Sequence, residues 1–447
     1  MRLVSLPSRA LTQGFRSLGN RNYRLFWFGQ MISLAGTWMQ DVALSWLVLS
    51  LTDSPMALGL TMTIRFLPTL VFSLYGGILA DRLPKRQTII VAQTTQMLIA
   101  FAMAVLVSTE LVTVLLIYVL AGLRGTVDAV EGPTRQAFVP EMVGRDDVPN
   151  AVALNSTLFN SARIIGPAVG AVIISTLGIA ACFYLNAFSF LAVIAGLLAM
   201  RPGELHTGES GPNNDDPSGT LREGFRYVRA TPDIMIVFIL IAALATFGYN
   251  FQTTLPLVTK YILNAEASTL SLLMTVMGAG SVLAGLIAAY RGKPRRHMML
   301  IAGGLCALLF VLVGRSTAPA VTTVRMFVVG FGGVLFMTSA STRVQLLVPS
   351  HLRGRVLGIY FLLFVGTTPI GSYVTGRLAE GVGVRAAMVI LALICLTGVA
   401  AATGYASRVG KTSRGSARPA PVPILGAEAR LRASVRTDEL NDAPIQE

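Results

Sequence analysis

Four charged residues, Arg124, Asp128, Glu131 and Arg135, recur at intervals of four, three and four inside an otherwise apolar stretch. On an α-helix that spacing puts all four on one face. The two carboxylates lie between two guanidiniums. Neighbouring carboxylates raise each other's proton affinity, and burial raises it further. A carboxyl that titrates near neutral pH is what a proton-coupled carrier requires. The same four side chains would also make a static ion-pair ladder at the end of the helix. For Glu131 the two readings are evenly balanced; Asp128 lies deeper and is the better proton candidate.

Asp41 and Arg65 form a second constellation. Each is 12 residues from Asp53, the middle of a connecting turn. In an antiparallel helix pair they sit at one depth, ~18 Å from that turn and near the midplane of a bilayer, where each can neutralise the other. Gln30, Ser33, Thr37, Gln40 and Asp41 make a polar stripe along the same apolar stretch. The stripe is expected to line a central cavity, with Asp41 taking part in proton or substrate binding; a structural salt bridge is the alternative. Tyr249, Asn250, Gln252 and Thr253, with Thr338, Ser339 and Ser341, are the polar centre of the second half. Thr37, Gln40, Asn250 and Gln252 are the candidate substrate-cavity residues. Polar residues of this kind also serve as glue between helices. Phe and Met along these stretches are expected to pack or to face lipid.

The elements that must hold these groups are apolar spans, twelve of them between residues 22 and 408. Most have the ~20 apolar residues that a helix needs to cross a ~30 Å hydrocarbon core. A charge held in hydrocarbon costs ~2.5–3.5 kcal/mol on insertion scales, so charges inside such spans default to function. The expected fold is all-α and membrane-spanning, with twelve transmembrane helices in two pseudo-symmetric six-helix bundles. The expected organisation is a cytoplasmic N-terminal segment (1–21), a first bundle (22–200), a cytoplasmic linker with an amphipathic helix (201–232), a second bundle (233–408) and a disordered cytoplasmic tail (409–447). On the linker helix Leu221, Phe225 and Val228 share one face and Arg222, Arg226 and Arg229 the other. That pattern suits the inner membrane surface.

The halves repeat each other weakly. Gly77-Ile-Leu-Ala80 returns as Gly285-Leu-Ile-Ala288, and Thr134-Arg135 returns as Thr342-Arg343, both at an offset of 208 residues. Two matches at one offset point to a duplicated unit.

The chain is 53% hydrophobic and 13% charged, with a net charge of +14. The excess of Lys and Arg does not indicate nucleic-acid binding, because it alternates by side. Of the 36, 28 fall on one face of the predicted topology, four on the other and four within spans. By the positive-inside rule both termini are cytoplasmic and the protein lies in the inner membrane of the cell. The three cysteines, Cys182, Cys306 and Cys395, fall in different spans without metal spacing and read as small buried hydrophobes. No metal site, cofactor or cleavable signal peptide is expected, and neither a phosphate-binding loop nor a nucleophile–base set points to an enzyme.

The segment Gly77-Ile-Leu-Ala-Asp81-Arg82-Leu-Pro84-Lys85-Arg86 closes the second span. It resembles the signature loop of the major facilitator superfamily, Gly-x-x-x-Asp-Arg-x-Gly-basic-basic, with Pro84 where the family usually has Gly. In the second half Ala289 and Tyr290 replace the acid and the base, so the gate is asymmetric. Ala162-Arg163-Ile-Ile-Gly166-Pro167-Ala-Val-Gly170 is similar to that superfamily's fifth-helix motif of antiporters and exporters, with Ala162 in place of its first Gly. Glu131-Gly-Pro-Thr-Arg135-Gln-Ala-Phe-Val-Pro140 and the run from Asn150 resemble the transmembrane secretion effector branch, which includes enterobactin exporters and macrolide or multidrug efflux proteins. The resemblance covers residues 20 to 408. It implies a cytoplasmic gate at Gly77, Asp81, Arg82, Glu131 and Arg135, an antiporter motif at Arg163, Gly166, Pro167 and Gly170, and alternating access around a central cavity. Asp41, Arg65, Arg124 and Asp128 are the candidate proton-coupling residues. The expected partners are a small amphipathic substrate, protons and the lipid bilayer, with a monomer as the expected state. A nutrient symporter or lipid transporter of the same fold, and a non-transporting receptor or assembly factor, are the alternatives.

Overall fold

The computed structural model describes the backbone of residues 14–206, 217–291 and 296–415; the side chains of 73–82, 217–221, 289, 291, 296, 350, 351 and 410–415 lie outside the described residues. Residues 207–216 of the linker and the tail beyond Gly415 also fall outside them.

Six helices fill the first half: α1 (Arg21–Thr52), α2 (Pro55–Arg82), α3 (Lys85–Ser108), α4 (Val114–Val143), α5 (Val148–Leu177) and α6 (Ile179–Leu198). After the linker come α7 (Pro217–Ala230), α8 (Pro232–Ala243), α9 (Phe251–Leu257), α10 (Ala267–Arg291), α11 (Arg296–Gly314), α12 (Pro319–Leu347), α13 (Ser350–Gly366), α14 (Thr368–Val382) and α15 (Val384–Gly415). The helices up to Thr403 form one compact unit, and a second begins at Gly404.

Local chemistry sets the boundaries. The Asn20 side chain accepts from the free amides of Asn22 and Tyr23 at 3.0 and 3.3 Å, capping α1. Asp53 ends α1 in the left-handed region (φ 50°), its amide bonded to the Leu49 carbonyl, and Pro55 opens α2.

Two spans are broken. The seventh divides into α8 and α9 at Tyr249 and Asn250, between turns of wider π-helix. Pro256 has no amide to offer the Gln252 carbonyl one turn back, and the Ser45 hydroxyl of α1 donates to that carbonyl at 3.4 Å. Pro369 sits in the first turn of α14, just after the break at Thr367.

Among the described residues, ten helical segments are long and apolar enough to cross a membrane, or eleven if the pair from Arg222 to Gly248, bent by 108°, is one span. The difference from the expected twelve arises at α4, where four charges dilute the apolar run, and at the broken α8–α9. Large apolar side chains face outward, among them Leu115, Leu286, Ile301 and Val324. Water would not tolerate such a surface; lipid does. On α7 Val228 is buried while Phe225, Arg222, Arg226 and Arg229 are exposed. Glu223 pairs with Arg355, and the Tyr227 hydroxyl donates to the Leu347 carbonyl at 3.2 Å.

α2 packs along α4, and α10 along α12 in the second half. Gly125 permits the first pairing: a Cβ there would fall 1.9 Å from the Arg65 carbonyl oxygen. Contacts of α2 with α14 and of α5 with α10 join the halves. One apolar core runs through both halves near the Asp53 turn, from Val42 and Leu49 through Leu257 and Leu270 to Val384 and Met388. At the opposite end, the core around Tyr23, Phe26, Phe138 and Met142 draws on the first half alone.

Candidate functional site

Asp41 is the hub. Its Oδ1 accepts from Arg65 Nη1 at 2.8 Å and from Arg124 Nη1 at 3.0 Å, and its Oδ2 accepts from Arg65 Nη2 at 3.1 Å. The Arg65 contact is the two-pronged kind that a planar guanidinium makes with a carboxylate. Gln252 of α9 adds a fourth donor, from Nε2 to Oδ2 at 3.3 Å. Asp41, Arg65 and Arg124 are each 4–5% exposed. Helix α1 thus supplies the acid, α2 and α4 the bases, and α9 the link from the second half.

The ladder continues along α4. Arg124 Nε lies 4.0 Å from Asp128 Oδ2, and Gln96 of α3 donates to Asp128 Oδ1 at 2.9 Å. Asp128 keeps about a third of its side chain exposed (34%), unlike Asp41 (5%). Further along, Gln93 donates to Glu131 Oε1 at 3.3 Å, and Arg135 Nε lies 3.6 Å from the same oxygen. Arg135 also donates to Gln30 Oε1 at 3.4 Å. At the end of the helix Glu141 pairs with Lys85 at 2.6 Å. Gly77, Asp81 and Arg82, expected in the gate, lie where side chains are outside the described residues. Arg343, matched to Arg135 by the repeat, pairs with Asp233 at 3.2 Å.

Asp41 and Arg65 open onto a cavity of about 510 Å³, walled by both halves of the chain. Thr37, Asn250 and Gln252 line it. Gln40 does not: its amide oxygen accepts from Asn186 Nδ2 at 2.6 Å within the helix packing. Gln40 is turned toward α6, while Asp41 faces the opening. Arg163 and Pro167 of the fifth-helix motif also reach the cavity. Gly166 does a different job: a Cβ there would lie 2.5 Å from the Ala35 carbonyl and from Trp38 Cβ, so α5 sits hard against α1. Gly170 meets Met39 in the same way, more loosely.

Aromatic and sulfur side chains were expected to pack or to face lipid. Instead Phe66, Phe159, Phe364, Met274 and Met337 form much of the cavity wall. Hydropathy alone does not separate a lipid-facing Phe from a cavity-facing one; both are apolar positions on a buried-length helix.

The end of the molecule with the Asp53 turn is tied across the halves. Lys260 Nζ lies 2.8 Å from Asp53 Oδ1, and the Tyr261 hydroxyl donates to the same oxygen at 3.0 Å. Glu380 Oε2 accepts from Ser54 Oγ at 3.1 Å and from the Met56 amide at 3.2 Å. The hydrogen bonds from Lys260 and Tyr261, followed by the Lys260 charge, hold the Asp53 carboxyl below its ordinary value.

An all-helical membrane-type body with a polar, charge-lined cavity between its halves defines a multi-pass transporter class. Among solved structures, a bacterial homolog of the human lysosomal transporter Spinster, in an inward-facing and unoccupied conformation, superposes with a TM-score of 0.70 at 13% identity, covering 94% of this chain and 100% of that one. The chain belongs to the transmembrane secretion effector family, whose model matches residues 12–431, and with it to the major facilitator superfamily. It is a transporter and not an enzyme. The Staphyloferrin A transporter of Staphylococcus aureus is 25% identical over 383 residues, 84% of this chain and 94% of that one. The Multidrug efflux pump Tap of Mycolicibacterium fortuitum is 26% identical over 386 residues, 84% and 94% respectively.

Proposed function

We propose that this chain is a secondary exporter of a small amphipathic molecule, driven by proton antiport and working by alternating access. Its twelve spans, counting α4 and the α8–α9 pair, form two six-helix bundles (22–200 and 233–408) in the inner membrane, with both termini cytoplasmic. The observation that carries the reading is one carboxylate, Asp41, held by two guanidiniums on the wall of a cavity shared by both halves. The relation to the Multidrug efflux pump Tap supports the export direction.

The mechanism follows from charge balance. With Asp41 ionised, Arg65 and Arg124 are compensated and Gln252 ties α9 to the first half. A proton on Asp41 leaves Arg65 without its counter-charge and Arg124 with only the longer contact to Asp128. The cavity then favours water, and the conformation that admits it is stabilised. A ligand shifts such an equilibrium only by its differential affinity for the two states, and the proton supplies that difference here. Asp128, about a third exposed and next to Arg124, is the relay between Asp41 and the cytoplasmic side. The Asp53–Lys260 and Glu380 contacts and the continuous apolar core near them form the external closure. Gly77, Asp81 and Arg82, with Glu131 and Arg135, form the cytoplasmic latch of the alternate state.

Reconstitution into inside-out vesicles tests the reading. Acidifying the lumen should drive uptake of an amphipathic fluorescent probe such as pyrenebutyrate, and Asp41→Asn should abolish the gradient dependence. Uptake that requires acid on the substrate side, or that ignores the gradient, would reject proton antiport. A companion readout is growth inhibition in a host stripped of its own pumps, comparing wild type with Asp128→Asn.

A further inference from the structure

We propose that the cavity carries a built site for an organic anion, centred on Arg163 and Tyr249, so that the cargo is an amphipath bearing a carboxylate. The inference rests on the reading that this cavity holds the cargo.

Arg163, half-buried on the cavity wall, differs from the two buried arginines. Arg65 and Arg124 share Asp41, and Arg124 also faces Asp128, so two bases meet two acids. Arg163 has no ion pair and no hydrogen bond among the described residues. Its Nε is buried with no acceptor. The guanidinium lies 5.9 Å from the Trp38 ring centroid, and Tyr249 lines the same cavity. A cation–π contact offsets only part of what a cation loses on leaving water. Among the described residues Arg163 therefore meets the cavity without an acid.

The second donor is Tyr249. Its side chain lines the same cavity, and its hydroxyl is buried at the edge of it with no hydrogen-bond partner. Its ring is held by Phe251 and Phe364, with centroids 5.4 and 6.0 Å away. Gly333 of α12 leaves the notch that receives the hydroxyl: a Cβ on Gly333 would fall 2.4 Å from it. A phenol locked in place without an acceptor, beside an unpaired guanidinium, is a two-donor cradle for a carboxylate. Gln252 contributes an unpaired buried Oε1 on the same wall, an acceptor for a hydroxyl or amine of the ligand. The remaining wall, including Phe66, Phe159 and Met337, suits an apolar body. The chemistry selected is one negative charge on an aromatic or aliphatic frame.

A charge-assisted hydrogen bond contributes ~1.5–3 kcal/mol, which corresponds to about ten- to hundredfold in affinity. The test uses the full chain in detergent or nanodiscs, with pyrenebutyrate and its neutral amide as probes and quenching of tryptophan emission as the signal. The expected result is that wild type binds the acid at least about tenfold more tightly than the amide. Arg163→Gln should lose that preference while keeping the amide affinity, and Arg163→Lys should restore part of it. Equal binding of the two probes to wild type, or a preference that survives Arg163→Gln, overturns the proposal. If Arg163→Gln does not purify as a monodisperse species, Tyr249→Phe carries the test. A loss for the acid alone supports the site, and an equal loss for both probes refutes it. Binding without a gradient is read separately from uptake into vesicles. Acid-selective binding with no gradient-driven movement would sink the antiport reading and leave the anion site standing. Gradient-driven movement of both probes at equal affinity would do the reverse.

Discussion

Asp41 accepts more hydrogen bonds than any other side chain in the cavity wall, and its replacement has a defined cost. Asp41→Asn leaves Arg65 buried without a counter-charge and Arg124 with only its longer contact to Asp128. Breaking a buried pair from one side costs about 3–5 kcal/mol, so the variant should unfold at a lower temperature and lose gradient-driven transport together. Asp128→Asn should separate the two effects. Asp128 is about a third exposed, its arginine contact is long, and the exposed-pair range of ~0–1 kcal/mol applies; its thermal stability should stay near wild type while the pH dependence of transport moves. Asp53 makes a contrasting prediction. Lys260 and Tyr261 hold its carboxyl below the ordinary value of 3.8. A folded-state pKa below the unfolded one contributes stability that is full above the ordinary value and is lost as pH falls through the depressed one. The difference in melting temperature between wild type and Asp53→Asn should therefore be constant from neutral pH down to the ordinary carboxylate range and shrink only in stronger acid. A difference that already fades near pH 6 would show that the tie to Lys260 is absent in the membrane. The pairing of Asp41 with Arg65 was legible from equal distances to one turn. The pairing of Asp41 with Arg124 was not, because no spacing rule connects residues 83 apart on helices of unknown rotation.

The helices act on the site through their close approaches. α2 and α4 meet where Gly125 faces the Arg65 carbonyl, and the two arginines that hold Asp41 come from these two helices. Gly125→Ala should force them apart. Overpacking of this kind costs typically about 1–3 kcal/mol, and here it also moves Arg65 relative to Asp41. The expected outcome is a lower melting temperature and reduced transport. A variant with full activity would mean that α2 and α4 are free to slide. The break between α8 and α9 has a similar logic. Pro256 releases the Gln252 carbonyl to Ser45, and the Gln252 side chain reaches Asp41 from the same residue. The seventh span was readable as an apolar, Pro-containing run. That its break would bring Gln252 to the first half could not be read, since a proline marks a missing amide and not the donor that replaces it. The linker helix α7 was foreseen from the alternation of Arg with Leu, Phe and Val; its pairing with α13 through Glu223 and Arg355 was not.

The halves share one apolar core at the end with the Asp53 turn, whereas the core described at the opposite end draws on the first half alone. In the state described, Ser54 and Glu380 touch across the halves. Cysteines introduced at these two positions, in a background where the buried Cys182, Cys306 and Cys395 are replaced by Ala, should form a disulfide on mild oxidation. That bond should stop transport, and reduction should restore it. Transport that continues through the closed bond would show that this end does not open during the cycle. Hydropathy and the placement of Lys and Arg along the chain were sufficient for the all-helical, membrane-spanning class, and the spacing of a few charges was sufficient to nominate Asp41, Arg65, Arg124 and Asp128. Both are properties of chain distance and helical period, which the order of residues contains. What surrounds each side chain is a property of helix rotation and of contacts between distant segments. The folded arrangement alone turned Gln40 away from the cavity, lined that cavity with Phe and Met, clamped Asp41 between two arginines and left Arg163 without an acid.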